Sequence, residues 1–191
     1  MKKIISLIFI SMTLSCSLFA EKFLNWEIKA AAGLPVYGAA DASRETLKAE
    51  DTYKRVAAGT EVDLSFNVSK PVKILIAAEA FCDFTFENSQ YINALDYSAD
   101  FGIKIYPFDD LGFNVTISYL LGCRTDFIKV AEIEDIINSD WGNGFKIDVN
   151  YDFLRNTKFK LMPTLGASYK YIPRGNNTTD HLFEAYVGVH F

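Results

Sequence analysis

Histidine is the first residue type to test for chemistry, because imidazole can act as a general base near neutral pH. The 191-residue chain has two histidines, and His181 lies between Asp180 and Glu184 along the sequence. A catalytic triad there would need a serine from another loop, and Ser89 and Ser139 are the candidates. A loop histidine is more often solvated than catalytic. We therefore expect no enzyme activity, no cofactor and no metal site.

A larger chemical feature is a set of acids and lysines at every second position of apolar stretches. Glu61 and Asp63, for example, alternate with Val62 and Leu64. Period two places such charges on one face of a β-strand. The charges predicted on that face are Glu61, Asp63, Lys73, Glu79, Asp83, Asp96, Asp100, Lys104, Lys146, Asp148, Asp152, Lys160, Lys170 and Glu184, together with His190. Leu75, Phe81, Leu120 and Met162 are bulky apolar residues at equivalent positions.

Eight stretches share this alternation, which is typical of strands with one apolar face. They cover residues 24–33, 56–68, 72–86, 94–106, 112–123, 145–153, 158–171 and 181–191. The connections 69–71, 107–111 and 154–157 are short and rich in turn formers. The connections 34–55, 87–93, 124–144 and 172–180 are longer and polar. This alternation of short and long connections favours an all-β, eight-stranded antiparallel up-and-down barrel.

Two of the long connections contain patterns of their own. Residues 42–51 are charged enough for a short helix, and Val130, Ile133, Ile136 and Ile137 fall at helical spacing. An alternative for the second segment is that the flanking strands simply continue outward.

The C-terminal strand has the most specific pattern in the chain. Its alternate residues Phe183, Ala185, Val187, Val189 and Phe191 are apolar, and the chain ends on that phenylalanine. In this respect the chain resembles the eight-stranded outer-membrane barrels, the group of the OmpA transmembrane domain, OmpX and OmpW. The resemblance implies that these five residues are an assembly signal, read by the barrel-assembly machinery after escort by periplasmic chaperones. It also implies an outer membrane of a diderm bacterium and contact with its lipid.

The N-terminus is consistent with export. Lys2 and Lys3 precede an apolar run from Ile4 to Leu14 and a small-residue stretch ending at Ala20, as in a secretory signal peptide. The run is too short for a spanning helix, which needs roughly 20 residues. We expect a signal peptide at 1–20 and one barrel domain at 21–191. Lipidation of Cys16 is a competing interpretation of the same segment.

The net charge and the cysteines bear on two further points, a nucleic-acid partner and a disulfide bond. Removal of Lys2 and Lys3 lowers the basic count from 19 to 17 against 24 acids, which gives about −7. A nucleic-acid partner is disfavoured, since phosphate binding needs clustered basic residues. Cys82 and Cys123 are expected on the lipid-facing side of strands three and five, with strand four between them. That separation favours two free thiols over a disulfide.

Period two does not say which face of a barrel is wet, so a soluble barrel with an apolar interior is the rival architecture. Aromatic residues near both ends of the strands favour membrane girdles and hence a polar interior. Eight strands leave room only for side chains, so we expect filling by paired charges and not a wide porin.

Three functions are compatible with this barrel. The first is a non-catalytic anchor that presents loops 34–55 and 124–144 to a surface ligand. The second is an OmpW-like channel for small hydrophobic molecules. The third, a lipid-modifying barrel enzyme, resembles this chain in architecture only.

Overall fold

The computed structural model describes residues 24–38, 53–155, 161–175 and 178–191. The strands in chain order are β1 Leu24–Val36, β2 Lys54–Ser69, β3 Val72–Glu87, β4 Gln90–Ile105, β5 Phe113–Val130, β6 Ile133–Asn138, β7 Gly142–Asp152, β8 Met162–Pro173 and β9 Thr179–His190. Within these ranges no helix has the length and apolar character needed to cross a membrane.

The strands form one closed antiparallel barrel. Each strand from β1 to β5 pairs with the next, and β1 pairs with β9, with Ala30 opposite Val187. The first part of β5, from Phe113 to Gly122, pairs with β7, whereas its last part, from Thr125 to Val130, pairs with β6. Since β6 and β7 lie end to end beside one strand, they fill a single place in the wall. The barrel therefore has eight strands, as the sequence predicts.

The two faces of the wall have opposite character. On β2, Asp63 points inward and is 1% exposed, while its neighbour Val62 points outward and is 41% exposed. The same contrast holds on β9, where Glu184 is buried and Val187 is exposed. An apolar exterior around a polar interior suits a bilayer. The soluble alternative with an apolar interior is therefore wrong.

Aromatic residues group on the outside of the wall near its outer end, the end opposite the chain termini. The ring centroids of Phe145 and Tyr171 lie 5.2 Å apart, and those of Tyr169 and Phe183 lie 4.9 Å apart. Such a group is typical of the girdle at a membrane interface.

The strands extend further at the outer end than the alternation predicts. The predicted loop 87–93 is wrong: β3 and β4 are joined by a turn of two residues, Asn88 and Ser89, with Asn88 at φ 52°. A short polar side chain tolerates this left-handed conformation, so asparagine can close a tight hairpin.

The helical spacing at 130–137 does not produce a helix. Val130 pairs with Ile133 across a tight turn in which Ala131 has φ 54°. The inward side chains of Ile128 and Val130 pack on Ile92 of β4 and are buried. A helix would forfeit this packing and the hydrogen bonds of β5 to its neighbour. The alternative prediction, continuation of the strands, is confirmed.

Both cysteines in the described ranges are free thiols, in agreement with the prediction. The Cys82 Sγ lies 2.9 Å from Asn93 Oδ1, and the Cys123 Sγ lies 3.3 Å from the Ser139 carbonyl oxygen. Several other predictions fall outside the described residues: the signal peptide, lipidation at Cys16, the helix at 42–51 and the inward position of Lys160.

Candidate functional site

The barrel interior is the most concentrated chemical environment of the molecule. Thirteen of the fourteen residues in the predicted set of interior acids and lysines lie in the described ranges, and each is at most 8% exposed; His190 is 3% exposed. The structure places there Glu61, Asp63, Lys73, Glu79, Asp83, Asp96, Asp100, Lys104, Lys146, Asp148, Asp152, Lys170 and Glu184. Alternation along each strand, locked by the ladder of backbone hydrogen bonds, turns these side chains inward.

Most of these charges join one continuous series of contacts, which we call the ion-pair chain. It begins at Lys29, whose Nζ lies 2.8 Å from Asp63 Oδ2 and 3.3 Å from Asp148 Oδ2. Glu61 then bridges Lys29, at 3.1 Å, and Lys146. Glu61 thus connects its own strand β2 both to the adjacent strand β1 and, across the lumen, to β7.

The ion-pair chain continues toward the outer end. Glu79 bridges Lys146, at 2.7 Å, and Lys170, at 2.8 Å. Asp96 in turn bridges Lys170, at 3.0 Å, and the guanidinium of Arg174. Positive and negative charges alternate along the ion-pair chain, so each of its buried ions has an opposite charge beside it. This pairing offsets part of the desolvation cost of each ion.

The ion-pair chain ends at the outer mouth, in residues that the sequence pattern places in loops. Asp180 bridges Arg174 Nε, at 3.0 Å, and Arg124, whose Nε is 3.1 Å from Asp126 Oδ1. Arg174 is 4% exposed. The alternation in the sequence does not predict these outer strand extensions, and so it does not place these side chains in the lumen. A cavity of about 260 Å³ opens beside them, lined in part by Asn138 and Ser139.

Two interior charges on β1 lie outside the predicted set. Glu27 and Lys29 are each 3% exposed, and Lys104 Nζ lies 2.7 Å from Glu27 Oε2. Their alternation with Trp26 and Ile28 along the sequence is the pattern that indicates an inward position.

Side chains fill the lumen tightly around these ions. The Tyr186 hydroxyl donates to Asp148 Oδ1 at 2.6 Å. A Cβ atom at Gly166 would lie 2.4 Å from the Tyr186 oxygen, so only glycine leaves room for this ring. The ion-pair chain and the aromatic filling thus occupy the centre of an eight-stranded barrel, as its diameter requires.

The predicted apolar inward residues do not gather into one pocket. Leu75, Phe81 and Leu120 are buried, and Phe81 lines a space of about 10 Å³ near the outer end. Met162 instead lines a cavity at the opposite end of the barrel. The smaller space is about the size that one water molecule needs.

The residues considered for a catalytic triad are separated by the wall. Asp180 and Glu184 point inward, whereas His181 lies on the outer face and its Nδ1 is 2.8 Å from the Tyr169 hydroxyl. Ser139 Oγ accepts a hydrogen bond from the Arg124 backbone N–H at 2.9 Å. Among the described residues, no three His, Cys, Asp or Glu side chains are grouped as a metal site requires.

The predicted assembly residues all lie on the outer face of the last strand. Phe183, Val187, Val189 and Phe191 are 50%, 60%, 38% and 46% exposed, and Ala185 is exposed as well. The Phe191 backbone N–H and carbonyl oxygen each form a 2.8 Å hydrogen bond with Trp26, which fastens the chain end to β1.

Residues 125–138, which we call the outer hairpin, project beyond the place where β7 leaves β5. All six residues of β6 are exposed, among them Ile133, Ile136 and Ile137. In the described part of the chain β6 pairs only with β5, so its other edge is free. The hairpin tip is fixed to the start of β4, because the Ala131 N–H donates to Gln90 Oε1 at 3.1 Å.

Solved structures show what kind of barrel this is. Ail, the attachment invasion locus protein of Yersinia pestis, superposes with a TM-score of 0.55 at 10% identity, over 89% of this chain and 99% of Ail. Neisserial surface protein A superposes with a TM-score of 0.50 at 12% identity, over 87% of this chain and 95% of its own. The fold is that of the small eight-stranded outer-membrane barrels. No protein-family model and no curated protein sequence matches the chain.

This fold explains why the buried charged side chains of the described residues lie in the lumen. In outer-membrane barrels, lipid surrounds the apolar face, so polar groups are placed either in the lumen or beyond the membrane. The candidate functional regions of the described residues are accordingly the lumen, its two mouths and the outer hairpin.

Proposed function

We propose that this chain is an integral outer-membrane protein whose barrel is a non-catalytic anchor and whose outer hairpin is an interaction surface. The observation that carries the proposal is the combination of a filled lumen with a projecting, ordered hairpin. Loops on rigid scaffolds are the usual site of binding. Here the scaffold is the barrel, and Gln90 and the buried cluster around Ile92 hold the hairpin upright.

The free edge of β6 defines the kind of partner. An exposed edge offers unpaired backbone N–H and C=O groups to another extended segment. The exposed part of the outer hairpin carries three acids, Glu132, Glu134 and Asp135, against the single lysine Lys129. A basic, extended peptide segment with apolar residues at alternate positions would complement both this charge and the exposed isoleucines.

This charge pattern separates the chain from one protein with the same fold. Ail has been crystallised with the heparin analogue sucrose octasulfate, a polyanion. An acidic hairpin repels polyanions. We therefore expect a cationic protein segment, and not a sulfated sugar, at the outer hairpin.

Replacement of residues 126–137 by a two-residue turn tests the anchor and the surface together. Cells that produce the trimmed protein should insert a heat-modifiable barrel at the wild-type level and lose adhesion to immobilised basic proteins. A matched control carries Asp109→Asn and Asp110→Asn in the turn at the opposite end of the barrel, and its adhesion should be unchanged. Wild-type adhesion by the trimmed protein would contradict the role of the hairpin.

The absence of catalysis needs a separate measurement. Lipid A and phospholipids from producing and non-producing cells should give identical mass spectra. A shift of one acyl chain or one headgroup in the producing cells would instead favour a lipid-modifying enzyme.

A further inference from the structure

We propose that the barrel mouth nearest the chain termini is a binding site for a phosphate group. A cavity of about 350 Å³ opens at this end, which faces the periplasm in barrels of this class. We call this cavity the periplasmic vestibule. Its lining residues are Asn25, Asn67, Ser69, Lys70, Lys73, Tyr106, Arg155, Met162 and His190.

The charge of the vestibule is opposite to that of the protein. Lys70, Lys73 and Arg155 line it, Lys70 within an exposed ion pair with Asp109, and no acidic residue is among its nine lining residues. The whole chain, in contrast, has a formal net charge of −5. A basic lining in an acidic protein focuses anions at this mouth.

Lys73 is a buried cation without an anionic partner among the described residues. It is 8% exposed, and the aromatic ring of Tyr106 lies 5.4 Å from its Nζ. Across the described residues no carboxylate lies within ion-pair distance of this ammonium, whereas Lys104 is paired with Glu27. Lys73 and Lys104 are also direct cross-strand partners. Like charges in that relation repel each other, so an anion beside Lys73 would relieve the repulsion.

His190 adds further unused hydrogen-bonding capacity. Its ring is 3% exposed, and neither Nδ1 nor Nε2 has a hydrogen-bond partner among the described residues. The carboxylate nearest to it is Asp152, 3.7 Å from Nδ1. A buried polar ring without partners is costly, and an anion in the vestibule would accept a hydrogen bond from it.

Arg155 completes the group of donors. Its guanidinium lies 3.6 Å from the ring centroid of Tyr106, and it donates to the carbonyl oxygens of Leu111 at 3.0 Å and of Lys70 at 3.3 Å. These contacts orient the guanidinium but use only part of its five N–H groups. The remaining donors can serve an oxyanion.

The number of donors favours phosphate over a simple carboxylate. A phosphate carries up to two negative charges and several acceptor oxygens, which matches three basic side chains with amide and hydroxyl groups beside them. The vestibule is closed toward the membrane centre, because the Tyr106 hydroxyl donates to Asp152 at 2.6 Å in front of the Lys104 and Glu27 pair. A phosphate would therefore be retained at the mouth. Its source is either a soluble phosphomonoester or inorganic ion, or the headgroup of an inner-leaflet lipid.

Phosphorus-31 NMR of the full folded barrel in non-ionic detergent tests the site, with inorganic phosphate titrated into phosphate-free buffer. We expect saturable binding of one phosphate per barrel. Lys73→Met should weaken the binding about tenfold or more, since a charge-assisted contact is lost. Lys54→Met, which removes an exposed lysine at the opposite end of the barrel, should leave the affinity unchanged.

A second variant and a competition experiment complete the test. Should Lys73→Met fail to fold, Arg155→Gln replaces it, with the same expected loss. Nanodiscs doped with phosphatidic acid then identify the source: competition with inorganic phosphate indicates a lipid headgroup, and lack of competition indicates a soluble phosphate. Non-saturable binding, or equal affinity of the wild type and the folded variants, would overturn the proposal.

Discussion

Lys170 Nζ and Glu79 Oε1 lie 2.8 Å apart, although their strands, β8 and β3, stand on opposite sides of the barrel. The two residues are 91 positions apart in the chain. Their contact therefore spans the lumen. Both side chains also have a second ionic partner, so this contact connects two halves of the ion-pair chain.

Removal of this link should destabilise the barrel. For Lys170→Met we expect a loss of about 3 kcal/mol in the free energy of unfolding, because two buried carboxylates lose a counterion but keep another one. Urea unfolding of the detergent-folded protein measures it. The control is Lys70→Met, whose side chain is 75% exposed and pairs with Asp109; it should change stability by about 0–1 kcal/mol.

A double variant distinguishes charge pairing from simple packing. Lys170→Met combined with Glu79→Leu should cost less than the sum of the two single changes, since the partners are removed together. Additive costs would show that the contact contributes no coupling energy.

Ion conduction should depend on the same side chains. In planar bilayers we expect the wild-type barrel to show no steady conductance, because the ion-pair chain and Tyr186 fill the lumen. Truncation of Glu79, Lys146 and Lys170 to alanine should create a conducting path. The control Lys70→Ala should leave the current unchanged. Identical current traces for the triple variant and the wild type would argue against lumen closure by these residues.

The terminal phenylalanine should matter for assembly beyond its apolar surface. Phe191→Ala and Phe153→Ala remove rings of nearly equal exposure, 46% and 43%. If Phe191 belongs to an assembly signal, its replacement should lower the folded fraction in outer membranes more than Phe153→Ala does. Heat-modifiable gel mobility measures that fraction. Deletion of Phe191 should likewise reduce assembly more than deletion of Lys48, and equal levels would remove the support for a signal.

Limited trypsin digestion should distinguish the exposed basic residue of the outer hairpin from the buried basic residues of the lumen. Lys129 is exposed and should be cut, whereas Lys104, Lys146 and the buried Arg174 should resist. Mass spectrometry of the folded protein identifies the cut sites. The case of Arg174 is the most informative, because the sequence places it in an exposed loop and the structure places it in the ion-pair chain. Early cleavage there would contradict the buried position.

The alternation of apolar and polar residues predicts the barrel, its eight strands and which side chains share a face, and the aromatic residues near the strand ends indicate that the polar face is the inner one. Period two is a local property, and closure of an antiparallel sheet leaves one face inside. Asp63 and Val62 could therefore be assigned to opposite faces from the sequence. Strand ends were predicted less well, because the outer extensions of β4 and β5 are stabilised by pairing and by the burial of Ile92 and Ile128, which depend on the neighbouring strand.

Only the tertiary structure decided which charges meet. Alternation places Lys170 and Glu79 in the lumen, but their contact depends on the stagger of strands around the closed wall, which no single strand encodes. The same stagger brings Arg174 to Asp96 and leaves Lys73 without a carboxylate partner among the described residues. Local sequence determines the face of a residue, and the closed geometry of the barrel determines its partner.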